Sequence, residues 1–351
     1  MTSIAKPPVR HPGLERNELG LTRRDYEGAM STLCAGCGHD SVTAALVQAC
    51  FELSVEPHRV AKLSGIGCSS KTTAYFLRQA HGFNAVHGRM PAVATGVNAA
   101  NRQLQIVGIS GDGDSLSIGL GQLSHAIRRN VSMLYVLENN GVYGLTKGQF
   151  SASADVGSKA KRGESNRQKP IDPVLLALTL GATFVARSFS GDKAQLVPIL
   201  KAGMKHRGFA LIDVISPCVT FNDHEGSTKS YLSTRERMQE IAPVDFIPLT
   251  HEIRAAYQPG DALTVPMHDG SVVRFRKLAE DYDPTDRDRA YVHVKEHQGR
   301  GEVVTGLLYI EDDAEDMHAL NRTIASPLYD LPYETLCPGG AALEELMKEF
   351  E

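Results

Sequence analysis

Residues 108–114 read GISGDGD and residues 138–142 read ENNGV. Each stretch follows an apolar run, and residues 114–138 between the two motifs are enough for one helix and the next strand. In a parallel sheet the carboxyl ends of the strands lie along one edge, where ligands bind. The sequence therefore predicts that Gly111-Asp112-Gly113 and Asn139-Asn140 lie side by side at that edge.

The same alternation of short apolar runs and helical patterns continues along the chain. Such runs, separated by helices, are typical of βαβ units with a buried parallel sheet. We predict an α/β fold with a mostly parallel sheet and helices on both faces. The predicted strands cover residues 59–64, 105–110, 131–138, 183–186 and 209–215, and the predicted helices cover residues 39–53, 69–81, 91–103, 116–129, 172–180 and 194–206.

The chain has 351 residues, more than the ~250–300 at which a single core usually stops growing. We therefore predict an N-terminal arm (1–30), a main domain (31–243) and a C-terminal extension (244–351) that makes subunit contacts. The extension contains an Asp-Gly hairpin around residues 265–275 and a helix over residues 340–351. The long polar stretch 144–170 is typical of a lid or binding loop.

Composition and charge exclude several classes of protein. The net charge of −4 gives no general attraction to nucleic acid or anionic lipid. The N-terminus lacks the apolar segment of a secretory signal. The longest charge-free apolar stretch, residues 173–186, is shorter than the about 20 residues that span a bilayer. We expect a cytoplasmic protein with neither nucleic-acid nor membrane partners.

The two opening motifs supply the ligands of a magnesium site. Asp112 offers a carboxylate, Asn140 an amide oxygen and Val142 a backbone carbonyl, which are the hard oxygen donors that Mg²⁺ prefers. The glycines permit a close turn, and the helix that follows can bind phosphate at its N-terminus. Walker A and Rossmann motifs do not fit, because Asp114 and Leu116 stand where those motifs need lysine and glycine. We predict a metal–diphosphate site; two ordinary glycine turns are the alternative.

Four of the six cysteines fall at similar positions. Cys34 and Cys37 form a CxxC before the first predicted helix, Cys68 follows the first strand, and Cys218 follows the last. Four thiolates at one sheet edge suit either a tetrahedral zinc site or a [4Fe–4S] cluster, and the spacing alone leaves both open. A haem attachment is excluded, because CxxCH is required and Gly38 precedes the histidine.

GDG-x25-NN is the thiamine diphosphate signature, and the sequence around it resembles one enzyme family. The segments CAGCGHD, GIGCSSK, HGRMPAVATG, GDGDSLSIG and ENNGVYGLTKGQ are similar to the β subunit of 2-oxoacid:ferredoxin oxidoreductases, and most similar to the 2-oxoglutarate (KorB-like) branch. The resemblance is strong over about residues 31–225. It implies a thiamine diphosphate-binding (PP-type) fold with thiamine diphosphate, Mg²⁺ and one [4Fe–4S] cluster on Cys34, Cys37, Cys68 and Cys218.

The resemblance also implies a reaction and partners. A larger α subunit (KorA-like) would join this chain in an αβ or (αβ)2 assembly and supply the glutamate that activates the aminopyrimidine. The reaction would be oxidative decarboxylation of 2-oxoglutarate with CoA to succinyl-CoA and CO2, with reduction of ferredoxin, or the reverse reductive carboxylation. Pyruvate or another 2-oxoacid stays open as the substrate. Two other classes stay open as well: a non-redox thiamine diphosphate enzyme subunit with structural zinc, and a scaffold protein that keeps the metal site.

Several further residues are predicted to contact substrate or cofactor. Lys71 would hold the second carboxylate of 2-oxoglutarate, Leu145 would form a wall against the thiazolium, and Lys147 would bind CoA; ordinary surface lysines are the alternative for the two cations. His39 would touch the cofactor or bond to local backbone at a helix start. The remaining predicted cofactor contacts stand at strand ends: Ile66, Gly67, Cys68, Ser69, Gly111, Gly113, Asp114, Gly144 and Leu145.

Overall fold

The computed structural model describes residues 11–158, 165–219, 253–267 and 272–350. Within these ranges, nine strands form one sheet in the order β2-β1-β3-β4-β8-β7-β11-β10-β9, and β5 and β6 form a separate hairpin. The strands are β1 Val60–Ser64, β2 His81–Asn84, β3 Gln105–Gly111, β4 Met133–Asn139, β5 Val142–Tyr143, β6 Gln149–Phe150, β7 Phe184–Phe189, β8 Phe209–Ile215, β9 Ala262–Pro266, β10 Val272–Lys277 and β11 Glu302–Ile310.

Six neighbouring strands of the sheet are mutually parallel, from β2 at one edge through β1, β3, β4 and β8 to β7. The five predicted strands are all confirmed. Strand β2 was not predicted, because all four of its residues are exposed and the sequence therefore has no apolar run there.

Helices cover both faces of the sheet, as predicted. The α-helices in the described ranges are α1 Gly38–Glu52, α2 Thr72–Tyr75, α3 Met90–Ala100, α4 Leu120–Arg128, α5 Pro173–Leu180, α6 Lys193–Lys205, α7 Arg287–Gly299, α8 Met317–Leu320, α9 Tyr333–Leu336 and α10 Gly340–Met347. Alternate residues of β4 point to opposite faces. Leu134 and Val136 pack with α1 and α6, whereas Met133, Tyr135 and Leu137 pack with α3, α4, α5 and α7.

The predicted helix over residues 69–81 is wrong. The structure has a short 3-10 turn (Ser69–Lys71), the single turn of α2, and then β2. Lys62 explains where the helix stops, because its Nζ donates to the carbonyl oxygens of Thr73 (2.8 Å) and Phe76 (2.6 Å). Hydrogen bonds from a lysine to the last carbonyls of a helix stabilise its end.

The C-terminal segment extends the main sheet. Strand β11 pairs antiparallel with β7, and β9 and β10 form the predicted hairpin, whose turn lies outside the described residues. At the other end of the chain, Tyr26 of the predicted N-terminal arm is fully buried and its hydroxyl donates to Val55 O at 2.9 Å. None of the helices in the described ranges has the length and apolar character needed to cross a membrane.

Candidate active site

One cavity lies where β1, β3 and β4 end, under the hairpin formed by β5 and β6, which we call the site hairpin. All three predicted Mg²⁺ ligands and all predicted cofactor contacts line this cavity, so the sheet edge brings them together as expected; their roles as ligands stay predictions. The lining residues are His39, Ile66, Gly67, Cys68, Ser69, His87, Gly111, Asp112, Gly113, Asp114, Glu138, Asn140, Val142, Tyr143, Gly144, Leu145 and Thr146.

Asp112 follows β3 directly and is 1% exposed. Its Oδ2 accepts hydrogen bonds from the hydroxyls of Ser151 and, at 2.6 Å, Ser153. Burial raises the pKa of Asp112, and the two serine hydroxyls oppose this rise. On the neighbouring strand, the Asn140 backbone N–H lies 3.5 Å from Asp112 Oδ1, and Asn140 Oδ1 accepts from Val142 N at 3.1 Å. The three predicted Mg²⁺ ligands are thus contiguous.

Asp114 also lines the cavity, but protein donors occupy both of its carboxylate oxygens. Oδ1 accepts from His87 Nδ1 at 2.7 Å and from Gly88 N at 2.9 Å, and Oδ2 accepts from Ser110 Oγ at 2.8 Å. A Cβ atom at Gly65 would lie 1.8 Å from Asp114 Oδ2, so a residue without a side chain is required there. Asp114 is therefore placed to hold His87 at the mouth of the cavity.

His39 and Glu138 form a buried pair beside Asn140. His39 Nδ1 lies 3.5 Å from Glu138 Oε2 and also contacts Ser216 Oγ, while Asn140 Nδ2 donates to His39 Nε2 at 3.4 Å. Burial lowers the pKa of His39 to about 4 and raises the pKa of Glu138. Burial thus favours the neutral form of both groups, and the His39–Asn140 bond turns the Asn140 amide oxygen away from His39.

The predicted cluster ligands approach the cavity from three parts of the chain. Cys37 N donates to Cys34 O at 3.0 Å, which closes the CxxC turn before α1. Gly38 N donates to Pro217 O at 3.1 Å. This bond ties the CxxC turn to the segment after β8, which carries Cys218.

The thiol of Cys218 is close enough to shift the ionisation of both Cys37 and Cys68, and the thiol of Cys34 is close enough to shift that of Cys68. Burial, followed by the nearby thiols of Cys218 and Cys34, raises the pKa of Cys68 to about 11. Burial raises the pKa of Cys37 in the same way, with a contribution from Cys218. A Cβ atom at Gly144 of the site hairpin would lie 3.5 Å from Cys68 Sγ and 3.7 Å from Cys218 Sγ. Among the described residues, no three His, Cys, Asp or Glu side chains form a site for a single metal ion.

The predicted substrate contacts lie around the mouth of the cavity. Leu145 lines it and is 53% exposed. Lys71 ends the turn after Cys68 and is close enough to that thiol to lower its pKa. Lys147 is exposed at the turn of the site hairpin with a positive φ of 80° and is not among the lining residues. The structure therefore brings Leu145 to the site, whereas Lys71, beside Cys68, and Lys147, at the hairpin turn, both lie outside the cavity lining.

Sequence reasoning missed Glu138, Ser151 and Ser153. Glu138 had a detectable signal, since it is a carboxylate at the end of an apolar strand directly before Asn139-Asn140. The serines had none, because they lie in a polar stretch without periodicity and reach Asp112 only when the site hairpin folds back.

The fold and the site together define a thiamine diphosphate-binding domain. Residues 65–214 match the family model of the C-terminal TPP binding domain of thiamine pyrophosphate enzymes. This range begins at the end of β1 and ends within β8, and thus contains the predicted magnesium ligands.

Sequence relatives identify the family more closely. The chain is 43% identical over 203 residues to the 2-oxoacid:ferredoxin oxidoreductase subunit beta of Saccharolobus solfataricus (58% of this chain, 66% of the relative). It is 41% identical over 191 residues to the 2-oxoglutarate oxidoreductase subunit KorB of Mycobacterium tuberculosis (54% and 51%), and 40% identical over 226 residues to the 2-oxoacid:ferredoxin oxidoreductase 2, subunit beta, of Aeropyrum pernix (60% and 72%). The chain thus belongs to the β-subunit family of 2-oxoacid:ferredoxin oxidoreductases.

A solved structure resembles the whole chain. The 2-oxoglutarate:ferredoxin oxidoreductase from Magnetococcus marinus, with 2-oxoglutarate, coenzyme A and succinyl-CoA bound, aligns with a TM-score of 0.68 and 28% identity, over 93% of this chain and 96% of that one. By sequence, the chain spans about half to two thirds of the length of the first curated relatives that it matches.

Proposed function

We propose that this chain is the β subunit of a 2-oxoglutarate:ferredoxin oxidoreductase. In this proposal it binds thiamine diphosphate, Mg²⁺ and one [4Fe–4S] cluster, converts 2-oxoglutarate and CoA to succinyl-CoA and CO2 (or runs the reverse reaction), and passes electrons to ferredoxin. The observation that carries the proposal is the single cavity that joins Asp112, Asn140 and Val142 to Cys68. Its cytoplasmic location remains a prediction.

The residues present fit a magnesium-bound diphosphate. The Asp112 carboxylate, the Asn140 amide oxygen and the Val142 carbonyl are a set of hard oxygen donors, and Mg²⁺ usually combines one or two protein carboxylates with phosphate oxygens and water. Asn140 Oδ1 accepts one hydrogen bond, from Val142 N, and an amide oxygen has a second lone pair for a metal. Because His39 accepts the Asn140 amide hydrogen, this oxygen keeps its orientation.

The cysteines fit an iron–sulfur cluster better than zinc. Four sulfurs at 2.3 Å from one zinc ion would be about 3.8 Å from each other. A cubane cluster, with iron atoms between the thiolates, needs wider spacing. Here Cys218 is close enough to raise the pKa of both Cys37 and Cys68, and Cys68 itself lines the cavity. The position beside the cavity also suits an acceptor of electrons from the bound cofactor.

The chain's own residues would bind and orient the reactants. When bound, thiamine diphosphate supplies the electron sink for decarboxylation of a 2-oxoacid. Leu145 covers the cavity mouth with an apolar side chain and excludes water. Lys71 offers a cation for the distal carboxylate of 2-oxoglutarate, which pyruvate lacks, and Lys147 at the hairpin turn would contact CoA phosphates. Burial favours the neutral forms of Glu138 and His39 beside the predicted metal ligands.

We further propose that residues 244–351 contact the α subunit, which would supply the acidic group for the aminopyrimidine. Residues 328–350 expose several large apolar side chains, and a monomeric soluble protein rarely exposes so many of them close together. Tyr333 is 73% and Phe350 80% exposed, and the other large apolar residues exposed there are Leu328, Tyr329, Leu336, Leu343, Leu346 and Met347.

The test is anaerobic purification of the chain with its α subunit, followed by viologen reduction with CoA and either 2-oxoglutarate or pyruvate. We expect brown, iron-containing protein that prefers 2-oxoglutarate. A strong preference for pyruvate would contradict the substrate and the role of Lys71. Zinc without iron, together with thiamine diphosphate binding, would favour the non-redox alternative, and absence of thiamine diphosphate binding in folded protein would favour a scaffold.

A further inference from the structure

Two hydroxyl groups hold one oxygen of Asp112. Ser151 Oγ donates to Asp112 Oδ2, and Ser153 Oγ lies 2.6 Å from the same atom. Ser151 is 7% and Asp112 1% exposed, so water does not compete strongly for these bonds. The other oxygen, Oδ1, faces the backbone N–H of Asn140 at 3.5 Å. The serines therefore fix the rotation of the carboxylate and leave Oδ1 on the side of Asn140.

Both serines belong to the base of the site hairpin. Ser151 follows β6 directly and Ser153 lies two residues further on, and Ser151 N donates to Gly141 O at 3.1 Å, which closes the hairpin. Ser153 Oγ also lies 2.9 Å from Asn139 Oδ1 at the end of β4. The turn of the same hairpin carries Lys147. One small element thus joins the carboxylate of the predicted metal site to residues at the mouth of the cavity.

We propose that Ser151 and Ser153 are positioning residues that prepare Asp112 for Mg²⁺ and couple metal binding to closure of the site hairpin. The inference rests on the proposed function, because it assumes that Asp112 binds the metal. Groups that hold a metal ligand in place typically change metal affinity about 10–100-fold when removed. Coupling of binding energies is reciprocal, so Mg²⁺ with thiamine diphosphate should in turn stabilise the hairpin.

The experiment uses the full chain purified with its α subunit and freed of metal by a chelator. Mg²⁺ affinity is measured by isothermal titration calorimetry at saturating thiamine diphosphate, and hydrogen exchange is followed over residues 142–153. The variants are Ser151→Ala, Ser153→Ala, both together, and Ser153→Thr, which keeps the hydroxyl. Ser117→Ala is the matched control, because Ser117 Oγ accepts from Ala152 N at 3.2 Å and so anchors the same loop without reaching the carboxylate.

We expect the double alanine variant to raise the Mg²⁺ Kd about 10–100-fold and to lose the slowing of hairpin exchange that cofactor binding causes in wild type. Ser153→Thr and Ser117→Ala should stay close to wild type. If the double variant does not fold, the same two measurements are made on Ser153→Ala, with the same changes expected. If the double alanine variant binds Mg²⁺ as tightly as wild type and its hairpin exchange is still slowed by the cofactor, this inference alone is overturned. If the wild-type protein binds no thiamine diphosphate, the proposed function is overturned as well.

Discussion

Removal of Arg187 should strongly destabilise the protein through a buried ion-pair cluster behind the active site. Its Nε donates to Asp213 Oδ2 at 2.7 Å and its Nη2 to Asp172 Oδ1 at 2.8 Å. The side chains of Arg187 and Asp213 are 4% and 0% exposed. Burial raises the pKa of Asp213, and Arg187 is the main group that opposes this rise. Asp213 Oδ1 also accepts from Asn139 at 3.0 Å, so the cluster supports the end of β4.

Arg187→Met keeps most of the side-chain volume but leaves a buried carboxylate without its cation, which typically costs 3–5 kcal/mol. The Asp172 carboxylate is destabilised less by the loss of Arg187, because it still accepts hydrogen bonds from Val174 N and Leu175 N as the N-cap of α5. A second change, Asp213→Asn, removes the uncompensated charge. The double variant should therefore be more stable than Arg187→Met, and its loss of stability should fall short of the sum of the two single losses by about 0.5–3 kcal/mol, the usual coupling between neighbouring sites.

The assay is urea denaturation followed by far-UV circular dichroism, with tyrosine fluorescence as a second probe because the chain has no tryptophan. Arg289→Met is the control: its side chain is 81% exposed in an ion pair with Asp286 at 3.3 Å, and such a pair is worth below about 1 kcal/mol. The reasoning would be refuted if Arg187→Met lowered the free energy of unfolding as little as the control does, or if adding Asp213→Asn recovered none of the lost stability.

Three further predictions concern the cluster, the core and the substrate. Cys218→Ser should lower the iron content from the roughly four atoms expected for one cluster. The control Cys337→Ser changes an exposed cysteine and should leave the iron content unchanged. Full iron loading in Cys218→Ser would contradict the ligand assignment. Burial lowers the pKa of Lys62 to about 8 from 10.5, so its contribution to stability is present above pH 10.5 and lost as the pH falls through 8. Between pH 8 and pH 10.5, the free energy of unfolding of wild type, relative to that of Lys62→Met, should therefore rise by up to about 3 kcal/mol. Denaturation curves that give the same difference between the two proteins at every pH would be inconsistent with the buried ammonium. Lys71→Met should raise the KM for 2-oxoglutarate roughly 10–100-fold, which is the usual effect of losing one hydrogen bond between charged groups. The KM for pyruvate should not change to the same extent. Equal changes for both acids would contradict the proposed contact between Lys71 and the carboxylate.

The sequence predicted the parallel sheet and the edge that carries the site, because buried strands such as β4 contain an uninterrupted apolar run, here Met133 to Leu137, before their polar ends. The GDG and NN motifs follow two adjacent strands, so topology alone brings Asp112 close to Asn140. A strand with exposed residues on both faces, such as β2, leaves no such pattern and was missed. The helix over residues 69–81 was predicted wrongly, because its true end depends on Lys62, which reaches it from β1.

Contacts between distant polar residues could not be predicted in the same way. Arg187 and Asp213 stand opposite each other in the register of β7 and β8, yet their pairing requires the strand order. Ser151 and Ser153 contact Asp112 only because the site hairpin turns back over the cavity. His39 and Glu138 are far apart in sequence, and burial shifts both pKa values towards the neutral form. In each case the missing information is the three-dimensional arrangement of side chains whose types the sequence already provides.

The central claim is that a magnesium-bound thiamine diphosphate and an iron–sulfur cluster lie side by side in this chain. The most direct test is to add 2-oxoglutarate and CoA to the anaerobic complex with its α subunit and to follow cluster reduction by electron paramagnetic resonance, in wild type and in Asp112→Ala. We predict a reduced-cluster signal in wild type and none in Asp112→Ala, although the variant keeps its iron. An equal signal in both proteins, or a wild-type protein without a reducible cluster, would contradict the account.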